Sequence, residues 1–439
     1  MSKVHVVGAG LAGLSAAITA TGGGRQVTVY EATAAAGGRC RSYFDPELEI
    51  RLDNGNHLLL SGNKSTFAYI DAIGARDRIT GPRTPVFPFI DLKTGREWTL
   101  RPSRGRIPWW LLNPERRVPK TSASEHLMLR LLGREWDDTV VSETMRHNSL
   151  YWLFVEPLSV AALNTRPHEA LACLFGAALR ETMLKGGRAC LPRMAKNGLS
   201  EALIDPAVET LRRRGAEVLF NRRVIGLIID GDRVNGLTTN EGSVMLGPSD
   251  SVVLAVPPWI VGELVPDLTV PDAFESILNV HFKISVKPLG DIAEAGFAGL
   301  VNGLAEWIFI KPDHISVTVS AANKVIERSA DDLATAVWRN VAKALDIDGE
   351  RALEPPPFRV IKERRATIVA NVRQEERRLP ARTDITNLVL AGDWTDTGLP
   401  ATIEGAVRSG VTAAAMILKP PKQAKSRRRN RVTIEHVPA

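Results

Sequence analysis

Apolar and polar positions alternate in blocks at the start of the chain. Val4 to Val7 is a short apolar run typical of a buried parallel strand, and the Ala-rich segment Leu14 to Thr19 predicts a helix. Gln26 to Tyr30 predicts a second strand, which ends at Glu31. This order of elements predicts a βαβ unit, in which a helix connects two parallel strands.

Further apolar runs predict strands in the middle and at the end of the chain. They lie at Ala216 to Phe220, Val224 to Ile229, Ser251 to Val256 and Asn387 to Ala391. The segments between them mix helical and strand-like patterns. A chain of 439 residues is too long for one ordinary core, so we expect two domains that interleave along the chain.

Each of the two expected domains draws on separate stretches of the chain. We expect the parallel-sheet domain to comprise residues 1–65, 190–258 and 380–418. The second domain, of mixed α+β structure, is expected to comprise residues 66–189 and 259–379.

The formal net charge of +7 is concentrated at the end of the chain. Residues 419–439 contain seven Lys or Arg residues against one acid, Glu435, which leaves residues 1–418 at about +1. The same segment has too little apolar content to fold alone, so we predict a disordered basic tail. Because the rest of the chain is nearly neutral, we expect no nucleic-acid partner.

The three cysteines, Cys40, Cys173 and Cys190, have no CxxC spacing. Their odd number and scattered positions argue against a disulfide framework and a zinc site, and we expect no metal. The first residues lack the charged and apolar regions of a signal peptide, and no apolar run is long enough for a transmembrane helix. We therefore expect a cytoplasmic protein whose membrane contact is peripheral, on the inner face of the cell membrane.

A GxGxxG pattern lies between the first predicted strand and the first helix. In a βαβ unit, Gly8 permits a tight turn, Gly10 lets the backbone approach a pyrophosphate, and Gly13 lets the helix pack on the strand. Glu31, 18 residues after Gly13, is placed to accept hydrogen bonds from ribose hydroxyls. The dinucleotide contacts predicted here are Gly8, Gly10, Leu11, Ala12, Gly13, Glu31 and Ala32.

Two more segments favour the same ligand. Gly38 lets the backbone pass close to a cofactor, and Arg39 offers a fixed fork of donors to a phosphate or carboxylate. Near the end of the chain, a predicted strand delivers Asp393, and a helix after Pro400 can stabilise negative charge on a reduced flavin. Taken alone, each segment also fits an ordinary loop. The C-terminal contacts predicted for a flavin are Gly392, Asp393, Ala401, Thr402 and Ile403.

Together these motifs resemble the large family of flavin amine oxidases, protoporphyrinogen oxidases and phytoene desaturases. The matching segments are GAGLAGLSAA, Glu31, GGR, the strand at Val224, LAVPP, and AGDW through EGAV. The resemblance implies an α/β fold, with a Rossmann-type FAD-binding domain interleaved with a mixed α+β substrate domain. It also implies that Asn54 and Gly55 contact FAD, and that the backbone at Val224 contacts the adenine side.

Within that family the chain most resembles the hydroxysqualene dehydroxylases. The segments that carry the resemblance are Asp53 to Leu60, Glu156 to Thr165 and Leu399 to Gly410. It implies reductive removal of the hydroxyl group of a C30 allylic alcohol by reduced FAD, which gives squalene for hopanoid biosynthesis. Amine oxidases of the family carry an aromatic ring where this chain has Thr402, which points away from amine oxidation. No cysteine lies near residues 390–410, so we expect noncovalent FAD.

His57 is the favoured catalytic candidate, because the resembling segment folds back under the flavin ring. A hydrogen-bonded structural histidine is the alternative, and both interpretations stay open. The reaction also needs an acid near the leaving hydroxyl group, which the sequence does not identify. Glu404 is interpreted as a residue that begins a helix. Only one dinucleotide fingerprint is present, so we expect an external electron donor.

Other functions share many of these motifs. A carotenoid or phytoene-type desaturase acts on a similar isoprenoid lipid in the opposite redox direction. An amine or protoporphyrinogen oxidase is a further alternative, and a flavin-binding lipid carrier without turnover belongs to a different class.

Ile107 to Leu112 is an apolar segment that contains Trp109 and Trp110 between basic flanks. Aromatic and apolar side chains between basic residues suit insertion into a membrane interface. Trp residues are also mostly buried in proteins, so a core or tunnel-lining position is the alternative. We predict a membrane-facing entrance for the lipid substrate here.

Overall fold

The computed structural model describes residues 2–132 and 138–418. The predicted basic tail, residues 419–439, lies outside the described residues.

Twenty β-strands are found in residues 2–132 and 138–418. In chain order they are β1 (Lys3–Val7), β2 (Gln26–Tyr30), β3 (Ser42–Asp45), β4 (Ile50–Asp53), β5 (Leu59–Leu60), β6 (Ile79–Thr80), β7 (Phe87–Asp91), β8 (Arg96–Leu100), β9 (Pro192–Ala195), β10 (Glu217–Leu219), β11 (Val224–Asp230), β12 (Arg233–Thr239), β13 (Gly242–Met245), β14 (Ser251–Leu254), β15 (Phe274–Phe282), β16 (Phe297–Val301), β17 (Trp307–Ile310), β18 (Ile315–Val319), β19 (Phe358–Ile368) and β20 (Leu388–Leu390).

The same part of the chain forms twelve α-helices. They are α1 (Leu11–Gly22), α2 (Lys64–Ala72), α3 (Ala123–Met128), α4 (Glu156–Leu163), α5 (Ala172–Glu181), α6 (Asp205–Arg213), α7 (Pro258–Leu264), α8 (Gly290–Ala295), α9 (Ala330–Ala344), α10 (Glu350–Leu353), α11 (Val372–Glu375) and α12 (Ile403–Leu418). A π-helical turn leads directly into α4 and another leads into α6. None of the helices in the described ranges is long and apolar enough to cross a membrane.

A parallel five-stranded sheet confirms the predicted βαβ unit. Its order is β10-β2-β1-β14-β20, so the first strand of the chain lies at the centre and the last lies at an edge. These strands are short and apolar because both faces of the sheet are covered. The sheet draws on the start, the middle and the end of the chain, as the interleaved α/β fold requires.

A seven-stranded mixed sheet forms the second layer of the fold, with the order β19-β15-β18-β17-β16-β7-β8. One of its faces packs against α9. That face is mostly aliphatic, with Phe282 and Phe358 as its aromatic residues, and it also carries Ile90, Leu278, Val280, Ala298, Leu300, Ile308, Ile315, Val317 and Val319. The opposite face points toward the glycine-rich segments and is described below. The predicted division at residues 65, 189, 258 and 379 stays a prediction.

Candidate functional site

The loop between β1 and α1 leaves open space beside Gly10. A Cβ atom added to Gly10 would meet no atom within 4 Å, whereas one added to Gly13 would lie 1.9 Å from the carbonyl oxygen of Gly8. No side chain caps the N-terminus of α1, and no acid lies in its first turn. The free N–H groups and the open space fit a pyrophosphate, which is the role predicted for Gly8, Gly10, Leu11, Ala12 and Gly13.

Glu31 is buried at the end of β2, and its carboxylate hydrogen-bonds to the loop between β1 and α1. Its Oε2 accepts a hydrogen bond from the N–H of Ala9 at 2.9 Å, and its Oε1 accepts from the N–H of Thr33 at 2.9 Å. Oγ1 of Thr33 also donates to Oε1 at 2.7 Å. An ionised carboxylate has about four acceptor sites, so Glu31 can accept about one further hydrogen bond, from a ribose. Ala32 is exposed beside it.

Val224 lies close to this end of β2. The N–H of Arg222 donates to the carbonyl oxygen of Glu31 at 2.8 Å, which sets the start of β11 beside β2. The Val224 side chain is buried in the apolar cluster that includes Tyr30. The predicted adenine contact therefore neighbours the predicted ribose contact.

The Gly37-Gly38 segment packs on the glycine loop. Gly10 and Gly37 form a parallel β-bridge, and Gly37 donates its N–H to the carbonyl oxygen of Ala9 at 2.8 Å. Gly37 and Gly38 have φ angles of +116° and +57°, which residues with a Cβ atom rarely adopt. A Cβ atom on Gly38 would lie 3.7 Å from the Cα atom of Gly10.

Arg39 joins the two ends of the chain. Its Nη2 donates to Oδ1 of Asp393 at 2.6 Å, and its carbonyl oxygen accepts from Nδ2 of Asn54 at 3.3 Å. Asp393 follows β20, so the contact ties the C-terminal turn to the glycine-rich segments. The structure thus brings together Arg39, Asn54 and Asp393, all predicted for the cofactor site.

A buried ion pair that the sequence analysis missed holds the turn at Asp393. Arg378 donates to both carboxylate oxygens of Glu375 and to the carbonyl oxygens of Asp393 and Thr395. An Arg and a Glu three positions apart would have been the only local signal.

The C-terminal helix begins at the predicted flavin contacts. The N–H of Gly405 donates to Oγ1 of Thr402 at 3.1 Å, so Thr402 acts as a helix cap as well as replacing an aromatic ring. Ala401 is half-buried, and Ile403 is buried in the core of the parallel-sheet layer. Gly392 is also buried, and its N–H donates to Oγ of Ser409 at 2.8 Å.

Helix α12 lies directly against α1. A Cβ atom on Gly410 would lie 2.1 Å from the carbonyl oxygen of Ala12, so the two backbones touch. Oγ of Ser15 also donates to the carbonyl oxygen of Val407 at 2.9 Å. Close packing of this kind explains the small residues of the C-terminal motif.

Glu404 caps the N-terminus of α2, which is a structural role and not a catalytic one. Its two carboxylate oxygens accept from the N–H groups of Ser65 and Thr66 at 3.0 and 2.9 Å. A carboxylate at a helix N-terminus satisfies free N–H groups and interacts favourably with the helix dipole. The acid is therefore a structural clamp between α2 and α12.

The face of the seven-stranded sheet that points away from α9 is called the inner face here. Residues 54–56 lie on its polar half. Nδ2 of Asn56 donates to Oγ of Ser316 at 2.7 Å and to Oγ1 of Thr318 at 3.0 Å. Asn279 donates to the carbonyl oxygen of Asn54 at 3.3 Å, and a Cβ atom on Gly55 would approach the Asn279 amide to 3.3 Å. These contacts fix the segment that precedes His57.

His57 is half-buried, and in residues 2–132 and 138–418 no group hydrogen-bonds its ring. Desolvation by the surrounding protein lowers the pKa of His57 to about 4, although the carboxylate of Asp53 opposes this change. The ring is therefore neutral at pH 7 and is no proton donor. Because no described group hydrogen-bonds the ring, hydrogen bonding does not distinguish the catalytic from the structural interpretation of His57.

The other half of the same sheet face is aromatic. Phe89 stacks on Trp98 at 5.5 Å and meets Trp307 edge-on at 5.6 Å, and the cluster continues through Phe297 and Phe309. Leu58, next to His57, packs against this cluster. The chain thus passes from the polar half to the aromatic half at His57.

Two donors on the aromatic half have no acceptor. Trp98 and Trp307 are each 7% exposed, and no described residue accepts from either indole N–H. An unpaired buried donor costs free energy, so an oxygen atom of a ligand would be favoured there.

The segment predicted as the membrane-facing entrance, Ile107 to Leu112, is partly exposed and partly buried. Trp109 is 65% exposed, with Ile107 and Leu112 exposed beside it, whereas Trp110 packs edge-on against the ring of His126 at 5.8 Å. Trp110 and His126 line an apolar pocket that reaches Phe154, which belongs to the same buried core as Phe89 and Trp307. The membrane-facing interpretation thus fits Trp109, and the lining interpretation fits Trp110.

Comparisons with known proteins agree with this geometry. The family model for flavin containing amine oxidoreductase matches residues 11–289 and 310–418. The hydroxysqualene dehydroxylase of Zymomonas mobilis is 42% identical over 95% of this chain and 99% of its own, and that of Rhodopseudomonas palustris is 43% identical over 95% and 99%.

The chain belongs to the hydroxysqualene dehydroxylase family. As a member, it is a flavin-dependent oxidoreductase, which confirms the enzyme class and the family resemblance of the motifs. The phytoene desaturase of an Oncidium hybrid is more distant from this hydroxysqualene dehydroxylase family member, at 25% identity over 95% of the chain and 78% of its own.

A solved structure of the wider fold shows the same architecture as this hydroxysqualene dehydroxylase family member. Putrescine oxidase, bound to putrescine, has a TM-score of 0.69 at 16% identity and covers 95% of this chain and 99% of its own. The likeness confirms the predicted two-domain α/β fold.

Proposed function

We propose that this protein removes the hydroxyl group of hydroxysqualene reductively, with FAD as its cofactor, and releases squalene. The observation that carries the proposal is the junction at His57: the segment 54–56, which includes two residues predicted to contact FAD, hydrogen-bonds to the polar half of the sheet, and Leu58 packs on the apolar core that contains the aromatic residues. A long isoprenoid chain needs an apolar wall, and the reacting carbon needs to lie beside the flavin. The full-length identity with hydroxysqualene dehydroxylases supports the same reaction.

The glycine-rich segments after β1 and β2 and the turn after β20, together called the cradle, would hold FAD without a covalent bond. The N-terminus of α1 would bind the pyrophosphate, Glu31 the ribose, and the backbone at Val224 the adenine side. Gly38, Arg39, Asn54 and Gly55 would line the middle of the cofactor. Gly392, Asp393, Ala401, Thr402 and Ile403 would line the ribityl chain and the ring. When bound and reduced, FAD supplies a hydride to carbon.

The state of the cysteines supports noncovalent binding. Cys40, Cys173 and Cys190 are all buried. Burial raises the pKa of the Cys40 thiol and raises that of Cys190 to about 12. Thiols in this protonated state are poor nucleophiles toward a flavin ring.

The substrate would reach the site from a membrane. Ile107, Trp109 and Leu112 are exposed together with Leu127 and Met128, and Leu127 also lines the apolar pocket. An exposed apolar patch near basic residues such as Arg104 and Arg106 fits the interface of an anionic bilayer. We place the enzyme at the inner face of the cell membrane, with an external electron donor.

Anaerobic single turnover tests the proposed reaction. The protein is reconstituted with FAD, photoreduced and mixed with hydroxysqualene. Flavin reoxidation and squalene formation should occur in equal amounts. Squalene itself serves as the control and should leave the flavin reduced. Bound reduced FAD that yields no squalene would contradict the proposal.

A phytoene-type desaturase is the second candidate, supported by the 25% identity to the phytoene desaturases. The oxidised holoenzyme incubated with phytoene separates the two candidates. Reduction of the flavin with a desaturated product would favour the desaturase.

A further inference from the structure

The reaction proposed above requires a proton for the departing hydroxyl group, and His57 is neutral at pH 7. Glu404 is engaged with the N-terminus of α2. Another acid close to the junction of the polar and aromatic halves of the inner sheet face is therefore a better candidate for the donor.

The backbone of Glu306 lies beside that junction, directly before β17. Its N–H donates to the carbonyl oxygen of Thr318 at 3.1 Å, and the Thr318 side chain accepts from Asn56 at 3.0 Å. Trp307, the next residue, belongs to the aromatic cluster and carries one of the unpaired indole N–H groups. Glu306 is thus one strand away from the segment that precedes His57.

The surroundings of Glu306 suit an acid. Its Oε2 accepts from the N–H of Ser320 at 2.7 Å, and its Oε1 lies 3.9 Å from the guanidinium of Arg166. The other charged group near it is Glu156 on α4. Desolvation by burial raises the pKa of Glu306 to about 7, and Glu156 adds to the increase, while the Ser320 N–H and Arg166 oppose it.

We propose that Glu306 is the proton donor to the leaving hydroxyl group of the substrate. This inference rests on the proposed function. In the balanced step, the C–O bond of the allylic alcohol breaks, the proton of Glu306 goes to the departing oxygen, and water forms. The carbon receives a hydride from reduced FAD, which is oxidised by two electrons, and Glu306 regains its proton from solvent. The unpaired N–H of Trp307 is available to hold the departing oxygen.

Glu306→Gln keeps the shape of the side chain and removes the acidic proton. Squalene formation in single turnover should slow by about 100-fold or more, with FAD binding and substrate binding retained. Glu306→Asp should restore part of the rate. Glu156→Gln is the matched control, because it removes a neighbouring partly buried acid that is not the donor, and it should change the rate only a few-fold.

A second readout uses the protein without FAD. A carboxyl whose pKa is raised on folding binds its proton more tightly in the folded state, so its contribution to stability falls as the pH rises from about 4.5 to about 7. The difference in melting temperature between Glu306→Gln and the wild type should therefore shift in favour of the variant as the pH rises through this range, because the buried histidines affect both proteins equally. A Gln variant with the wild-type slope would contradict the assigned titration and overturn the proposal.

The two proposals fail in different ways. If the wild type forms no squalene, the proposed function fails and the donor role fails with it. If the wild type forms squalene and Glu306→Gln does so at the same rate, only the assignment of Glu306 fails.

Discussion

Arg39 donates from Nη2 to Oδ1 of Asp393 at 2.6 Å, although 354 positions separate the two residues in the chain. The Asp393 side chain is 9% exposed and the Arg39 side chain 41% exposed, so the ion pair is shielded from water on the carboxylate side only. The pair connects the segment after β2 with the turn after β20.

We expect the two members of this pair to be energetically coupled. Arg39→Lys and Asp393→Asn should each lower the free energy of unfolding and weaken FAD binding about tenfold, since Lys lacks the guanidinium fork of Arg39 and Asn lacks the charge of Asp393. Urea unfolding of the two single variants and the double variant gives the coupling, which we expect to be about 1 kcal/mol. Simple additivity of the single effects would contradict it.

Gly10 and Gly13 should separate cofactor binding from folding. Gly10→Ala adds a methyl group to open space, so the stability of the FAD-free protein should stay unchanged while FAD affinity falls about tenfold or more. Gly13→Ala places the methyl against the Gly8 carbonyl and should cost about 1–3 kcal/mol of stability. Thermal unfolding and FAD titration measure both, and equal loss of stability in the two variants would refute the distinction.

Glu404→Gln should destabilise the protein by about 1 kcal/mol, because the charged cap of α2 is lost. Chemical unfolding measures this change. Glu209→Gln removes one partner of an exposed ion pair on α6 and is the matched control, with an expected effect below about 0.5 kcal/mol. The same effect in both variants would mean that Glu404 does not act as a cap.

Trp109→Ser should reduce binding to anionic liposomes without changing stability, because its side chain is largely exposed. Trp110→Ser should instead lower the melting temperature, because the ring packs against His126. Cosedimentation with liposomes and thermal unfolding test the pair. Met245→Ser changes an exposed apolar side chain on β13 and should affect neither quantity. Unchanged liposome binding by Trp109→Ser would contradict a membrane-facing role for Trp109.

Acid should destabilise the protein through His281. Burial lowers the pKa of His281 to about 3, so the unfolded chain binds a proton near pH 6.5 that the folded chain rejects. Stability is therefore lost as the pH falls from 6.5 toward 3. His281→Asn should lose less stability over this range, with a slope smaller by up to about 1.4 kcal/mol per pH unit. Parallel pH dependences of unfolding in the variant and the wild type would exclude this role.

The predictable part of the fold follows from local patterns. The glycines between β1 and α1 and the apolar strands around them are sufficient for the βαβ unit, because each requirement is met within about 30 residues of sequence. The motif near Asp393 could be recognised for the same reason. Its direct contact with Arg39 could not, since two segments 354 positions apart share no local signal.

The features that the sequence did not predict depend on which side chains are buried. Trp109 and Trp110 are adjacent and chemically identical, yet one is exposed and the other packs inside, because the local turn directs them differently. Glu306 looks like an ordinary acid before a strand, and only its burial in the folded protein raises its pKa, against the opposing effect of Arg166. Such environments arise from tertiary contacts that no periodicity encodes.

The contact of Gly410 with Ala12 has a consequence for the order in which the molecule is made. During synthesis, α1 emerges first but cannot cover its surface until α12 leaves the ribosome hundreds of residues later. Truncated or stalled chains that end before this helix would therefore expose apolar surface and lack half of the cradle. Flavin loading should be a late, post-translational event, and unfinished chains should be preferred targets of chaperones and proteases.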